Sequence, residues 1–401
     1  MANDHLPEQA FEPANGQDHE QVLVLGAGSS GLAAAAELQR RGVAVEILER
    51  GGFVGAAWRT RYDRLRLNTC RWTSRLSAEP WQPGSPVFPT RDQFFRYLGA
   101  YADRNQLRVR LGVEVKRIDS SDGKWQLTTS AGERTARHVI IATGYMHTPR
   151  LPDWPGADLY RGRLLHSVEY RNPAPFRGAD VLVVGAGSSA MEIAADLAYG
   201  GASRVRLAVR TQPNLLRRSI FGVPGDLVTA TLFRLPSRRA DRIDRVLRRL
   251  TIGSLAAYGL TVPEEGIFTR ARRTGSGPTV VDAAVSRAIK SKRIEIVAGV
   301  ASAEADVVRL IDGSVIRPDA IIAATGFTTG LPELVGHLGV LDDRGFPLAT
   351  GGPAALPGLR FTGYVANIRS QYKDALRVAE QVAGELATAS PVQIPADPLK
   401  E

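Results

Sequence analysis

Two stretches of this chain carry residues whose types and spacing suit the binding of phosphates. The first reads Gly26-x-Gly28-x-x-Gly31, and the apolar run that follows it ends in Glu49 and Arg50. The second reads Gly185-x-Gly187-x-x-Ala190, and its following apolar run ends in Arg210. In such a pattern the first glycine permits a tight turn. The second lets bare backbone approach a pyrophosphate, and the third small residue lets a helix pack close to a strand. The free amides of the helix N-terminus then face the phosphates. The residue at the end of the next strand selects the nucleotide. Glu49 suits the hydroxyls of a free ribose, whereas Arg210 suits a 2′-phosphate. The first site is therefore expected to hold an ADP-ribose-like moiety without that phosphate, and the second NADPH.

The surrounding residues supply the elements these turns require. Val22–Leu25 is a short apolar run without polar alternation, as in a strand buried on both faces of a parallel sheet. An alanine-rich segment ending near Leu38 favours helix, and Val43–Leu48 is a second buried strand. Asp180–Leu197 and Val205–Val209 repeat this arrangement. The Gly-rich stretch 51–58 has no strand period and suits a loop wrapped around a ligand. At its end Trp58 either lies against a planar ring or fills a core. Thr90–Asn105 is predicted to be a capped helix, with Phe94, Tyr97, Leu98 and Tyr101 at helical spacing. Strands are predicted over Leu107–Ile118, Lys124–Thr128, Arg137–Ile141, Ile294–Val297, Val307–Ile311, Ala320–Ala324 and Leu359–Gly363. Helices are predicted over Val280–Lys290, with Asp282 as cap, and over Asp374–Leu386.

Residues 212–275 are arginine-rich and carry no β pattern, so a helical subregion near the substrate pocket is expected. Within it, Ser237–Ala257 places Ile243, Val246, Leu247 and Leu250 on one helix face and arginines on the other. Such a helix can lie on a membrane, cover a pocket or pack as an ordinary amphipathic helix. The last reading is preferred here, because apolar stripes usually face a core.

Two Ala-Thr-Gly strand ends, at Ala142-Thr143-Gly144 and Ala324-Thr325-Gly326, bracket the second βαβ unit. Pro149–Gly156, with its three prolines, reads as a crossing between domains. The predicted fold is α/β with two Rossmann-like dinucleotide-binding domains, of three-layer ββα/βαβ type. An NADPH domain (158–322) is inserted into a nucleotide domain made from 21–150 and 325–390, with tails over 1–20 and 391–401.

With 401 residues and 44% hydrophobic content, the chain can build two or three cores. No apolar run reaches the ~18 residues that would span a membrane. The N-terminus is polar and acidic, unlike a signal peptide. Cys70 is the only cysteine, which precludes an intrachain disulfide and a redox pair and fits a cytoplasmic location. The net charge of +10 is spread along the chain without a nucleic-acid motif, and no nucleic-acid role is assigned. Neither a metal cluster nor a Ser/His/Asp motif is evident in the sequence.

With its two nucleotide sites and paired brackets, the chain resembles the flavin-containing monooxygenases, and within them the plant YUCCA branch and its bacterial relatives. The likeness runs from about residue 21 to 386. Tyr160–Tyr170 matches the family pattern F-x-G-x-x-x-H-x-x-x-[FY] at Gly162, His166 and Tyr170, with Tyr160 in place of the usual Phe. Ser254-Leu255, Tyr258-Gly259-Leu260 and the stretch from Thr274-Gly275 to Asp282 are also YUCCA-like. Baeyer–Villiger enzymes carry a related pattern that ends in Trp, where this chain has Tyr170.

The resemblance implies FAD in the first site, held by Gly26, Gly28, Ser29, Gly31, Glu49 and Arg50, with Val115 touching adenine through its backbone. Trp58 and the segment Arg64–Thr69 would line the flavin, and Asn68 would sit beside its reactive face, although YUCCA-like proteins usually have His there. Gly185, Gly187, Ser188, Ser189 and Arg210 would hold NADPH, with Arg217 or Arg218 adding phosphate contacts. Thr143, Gly144, Gly326 and Gly363 would also border the cofactors. His166 falls in a hinge and is read as a coupling residue rather than a catalyst. The implied activity is oxygenation by O2 of a small molecule, through a C4a-hydroperoxide of the flavin, at nitrogen, sulfur or the carbonyl of a 2-oxo acid. A monomer or homodimer is expected, with peripheral membrane contact one option. The competing reading is an NADPH dehydrogenase or oxidase that passes electrons to a quinone or to O2.

Overall fold

The computed structural model describes residues 19–388 except 78, 122 and 276, and only the backbone of 19 and 20. The expected tails lie outside these residues, save that 19 and 20 already belong to the first strand. β1 (His19–Leu25), α1 (Ser29–Arg40) and β2 (Val45–Glu49) form the first βαβ unit, with the two strands parallel. Val22 to Leu25 are buried, as their unbroken apolar run requires. The short α2 (Ala56–Arg59) precedes α3 (Arg91–Arg104). Thr90 caps α3 reciprocally: its side chain accepts from the Gln93 amide, and the Gln93 side chain accepts from the Thr90 amide.

The single strand expected over 107–118 is two strands. β3 (Val109–Leu111) and β4 (Val115–Ser121) are parted by Gly112 at φ +72°, a conformation that ends a strand. β5 (Lys124–Thr129) and β6 (Gly132–Ile141) complete a sheet ordered β3-β2-β1-β6-β5-β4.

After β7 (Thr148–Pro149) the chain builds a second sheet. Its parts here are β8 (Arg163–His166), β9 (Asp180–Val184), α4 (Ser188–Gly200) and β10 (Arg204–Val209). The arginine-rich region is not purely helical. β11 (Leu215–Arg217), β12 (Ser219–Ile220) and β13 (Val223–Pro224) precede α5 (Gly225–Leu232), α6 (Ser237–Thr251) and α7 (Ile267–Thr274). The helix expected from Val280 begins later. β14 (Thr279–Val281) pairs with β11, and α8 (Ala283–Lys290) follows, capped by Asp282, which accepts from the Ala284 and Val285 amides. The run of β-branched residues Thr279 to Val281 favours the strand.

β15 (Glu295–Ala298) joins the second sheet, and β16 (Val300–Glu304), β17 (Val307–Leu310) and β18 (Val315–Ile316) form an antiparallel trio. β19 (Ala320–Ala323) completes the parallel order β15-β10-β9-β19-β8. β20 (Phe327–Thr328) pairs with β7, so the two crossings run side by side. After α9 (Leu331–Val335), β21 (Leu359–Phe361) returns to the first sheet beside β6, and α10 (Ile368–Ala387) packs on α1. The second sheet thus lies, in sequence, inside the first.

α6 departs from the expected packing. Ala240, Asp241 and Asp244 face inward, while Ile243, Val246 and Leu250 are 41%, 56% and 65% exposed. Leu247 alone of the apolar stripe packs against a core cluster.

Candidate active site

The first glycine turn sits where β1, β2 and β6 end together. Gly26 adopts φ +103°, and a Cβ there would stand 2.8 Å from the Ala142 carbonyl oxygen. At Gly31 a Cβ would stand 1.9 Å from the Gly26 carbonyl oxygen, so the helix can lie this close only without one. Gly28 is different: a Cβ would meet nothing within 4 Å, because its backbone opens onto a cleft. Glu49 locks the turn. Its Oε2 accepts from the Ala27 amide and its Oε1 from the Gly51 amide, each at 2.7 Å. Each oxygen keeps acceptor capacity for a ribose hydroxyl.

The cleft has a volume of about 870 Å³ and is lined by Gly26, Gly28, Glu49, Arg50, Trp58 and Val115, among others. Trp58 packs edge-on against Phe94 at 4.7 Å and borders the cleft. Arg50 lies 3.6 Å from Glu114, which borders the cleft with it. Thr143 lines the cleft and its hydroxyl lies 2.9 Å from that of Tyr364, whose phenol is held neutral by burial. Gly144 and Gly326 turn at φ +77° and +87°. Gly363, at φ +88°, faces Ser30 at the start of α1, where a Cβ would stand 2.6 Å from its hydroxyl. Ser29 is buried, and its hydroxyl donates to the Gln371 side chain of α10. Lys116, Arg61 and His147 also line the cleft, and no sequence pattern singled them out.

The second glycine turn repeats the geometry at the ends of β9, β10 and β19. Gly185 adopts φ +137°, and a Cβ there would stand 2.5 Å from the Ala324 carbonyl oxygen. Gly187 is open, and it precedes the first turn of α4. Arg210 is exposed at the end of β10. Ser188 is already engaged, since its hydroxyl accepts from the Val280 amide of β14 at 2.9 Å, and the Thr279 hydroxyl donates to the Ala186 carbonyl. Ser189 lies beside the Tyr62 hydroxyl.

Arg64–Thr69 lies outside the lining of the first cleft: Leu67 is buried in the first domain's core, whereas Arg64 and Asn68 reach the inserted domain. Arg64 pairs with Asp282 at 3.2 Å and with Asp196 at 3.8 Å. Asn68 is exposed, and its side-chain oxygen accepts from Arg218 Nη2 at 3.4 Å. Arg218 is buried, also pairs with Glu192 through Nη2, and leaves its Nε without a partner. The Tyr62 hydroxyl donates to Glu192 at 2.7 Å, and burial pushes its pKa up to about 12. Arg218 is thus engaged by Glu192 and Asn68, and Arg217 donates to the Ser286 hydroxyl. No motif in the sequence points to Glu192 or Tyr62. The available signal was Glu192 itself, an acid within the apolar helix run Ala190 to Ala195.

His166 is buried at the end of β8. Its Nδ1 accepts from the Val168 amide, so its Nε2 carries the proton and donates to the Gly326 carbonyl at 3.0 Å. Burial lowers its pKa, which favours this neutral form. The ring ties the inserted sheet to the second Ala-Thr-Gly turn, in keeping with a hinge.

An open glycine at a helix start, a carboxylate at the next strand end and a long cleft between them fit a dinucleotide without a 2′-phosphate. An open glycine with an exposed arginine fits one that carries it.

The family model described as pyridine nucleotide-disulphide oxidoreductase matches residues 23–219. The rice (Oryza sativa subsp. japonica) indole-3-pyruvate monooxygenase YUCCA1 is 35% identical over 372 residues, covering 90% of this chain and 91% of that protein. The Arabidopsis thaliana probable indole-3-pyruvate monooxygenase YUCCA7 is 33% identical over 390 residues, covering 93% and 89%. Among solved structures, a flavin-containing monooxygenase from Stenotrophomonas maltophilia superposes with a TM-score of 0.72 at 23% identity, over 92% of this chain and 99% of that one. OTEMO, solved with FAD and NADP, gives 0.72 at 18% identity over 92% and 84%.

Proposed function

The chain belongs to the flavin-containing monooxygenases, in the branch of the YUCCA enzymes, and is an FAD- and NADPH-dependent oxidoreductase; we propose that it oxygenates a small 2-oxo acid. Gly28, Glu49 and Val115 would hold the ADP half of FAD, and Gly187 and Arg210 the NADPH. FAD held there would supply the redox chemistry, accepting hydride from NADPH and passing electrons to O2. The balanced reaction places one oxygen atom in a shortened carboxylic acid, sends the other to water and releases CO2.

The observation that carries the 2-oxo acid reading is Arg218. Its guanidinium is buried where the two domains meet, beside Asn68. Its Nε lacks a partner among the described residues. Nη2 is already taken by Glu192 and Asn68, so the Nε edge is the donor left to receive a substrate carboxylate oxygen, and an unpaired buried donor is costly. The substrate named for the rice and Arabidopsis relatives is itself a 2-oxo acid, which supports the assignment. Asn68, next to Arg218, would offer its amide to the reacting oxygen.

The test is a substrate panel of aryl-2-oxo acids, amines and sulfides, assayed for NADPH oxidation and CO2 release. The 2-oxo acids should release CO2 in step with NADPH oxidation. Arg218→Gln should raise KM for them at least ~tenfold, the loss of a charge-assisted contact, while NADPH reduction of the flavin persists. Turnover of amines or sulfides alone would replace the 2-oxo acid reading with nitrogen or sulfur oxygenation.

A further inference from the structure

α6 turns outward the residues that a helix of this composition ordinarily buries. Its inward positions are Ala240, Asp241 and Asp244. Asp241 is held there by a local need, because its carboxylate caps α7. Oδ1 accepts from the Phe268 amide at 2.7 Å and Oδ2 from the Thr269 amide at 3.2 Å. With both acids turned in, the exposed half of the helix carries Arg238, Arg239, Arg242, Arg245 and Arg249 together with Ile243, Val246 and Leu250, and no acid. At 100° per residue, the three aliphatic side chains and Arg239 share one flank, and the other four arginines share the adjacent one. Neither flank has a partner within the described residues that would bury it.

We propose that α6 is a docking surface for an anionic lipid bilayer, on which it lies parallel to the membrane plane. Three aliphatic side chains would enter the acyl boundary, and the adjoining arginines would meet anionic headgroups. Charge decides against the other occupants. A second copy docked face to face would set arginines against arginines, and like charges opposed across an interface are costly. A nucleic-acid backbone would satisfy the arginines but leave the aliphatic flank against phosphate. The helix is far too short and charged to span a membrane, and no helix among the described residues is long and apolar enough to do so.

The experiment is sedimentation of the full-length protein with vesicles of phosphatidylcholine alone, or of phosphatidylcholine mixed with phosphatidylglycerol. The variants are I243S/V246S/L250S and R242Q/R245Q/R249Q. All six positions are exposed, so both variants should fold with wild-type melting temperature. The wild type should bind the anionic vesicles at least ~tenfold more strongly than the neutral ones, and each triple variant should lose at least ~tenfold of that binding. NADPH oxidation without vesicles should be unchanged. Equal or absent binding of the wild type to both vesicles overturns the proposal, as does undiminished binding of the serine variant. A wild-type dimer that the serine variant abolishes would also overturn it, in favour of contact between copies.

Discussion

Gly28 and Gly31 share one turn and meet opposite constraints, and two substitutions separate them. At Gly31 a methyl would stand 1.9 Å from a backbone oxygen that cannot move away cheaply. Gly31→Ala should cost stability, by about 1–3 kcal/mol for an overpacked site, visible as a lower melting temperature even without flavin. At Gly28 the space is open, so Gly28→Trp should leave the melting temperature of the flavin-free protein near wild type while abolishing the flavin absorbance of the purified protein. A Gly28→Trp protein that retains FAD would contradict the first site. Arg210 tests the second. It is exposed at the end of β10 with no acid paired to it among the described residues, and Arg210→Ala should weaken NADPH relative to NADH by about 1–3 kcal/mol, the range for a hydrogen bond to a charged group. Measured kcat/KM for the two nucleotides checks this, and an unchanged ratio would mean that another residue reads the 2′-phosphate. The geometry of these glycines and the placement of the two strand-end charges are legible in the sequence because they are local, set by residues within one βαβ unit. Glu192, Tyr62 and Arg218 meet only in the fold, and no spacing along the chain announces them.

Elements were legible in proportion to how far their own residues decide them. α3 begins at its capping residues, and β1 at its apolar run, because neither needs a distant partner. β14 was missed because its pairing with β11 overrides the helical look of residues 280–290. α6 was read with the right period and the wrong direction. A period reports that one face is apolar, and it is silent on the Asp241 cap that holds the opposite face against α7. α8 offers a test at this scale, since Asp282 both caps the helix and pairs with Arg64 of the other domain. Asparagine caps about as well as aspartate but carries no charge. Asp282→Asn should therefore cost little in melting temperature, whereas Asp282→Ala should cost about 0.5–2 kcal/mol. If the Arg64 pair holds the two domains in register, both variants should raise KM for NADPH, and thermal melts with steady-state kinetics on the same samples separate the two roles.

For the whole molecule, the two Ala-Thr-Gly turns explain the architecture. Each ends a central strand beside a glycine turn, Ala142 against Gly26 and Ala324 against Gly185, so the two nucleotide cradles are built alike. The paired β7 and β20 and the His166 bond to Gly326 then join the inserted sheet to its host. The nesting was legible because both brackets recur in the sequence. The junction chemistry was not, because it depends on how two separately folded sheets face one another. Electrons from NADPH are used to place an oxygen atom from O2 in an organic product. The most direct measurement is turnover under isotopically labelled O2, with the product analysed by mass spectrometry. One labelled oxygen atom per product molecule is expected, with one NADPH consumed for each. Consumption of NADPH with an unlabelled product, or with hydrogen peroxide as the sole reduced species across the substrate panel, would contradict it and identify the protein as an oxidase.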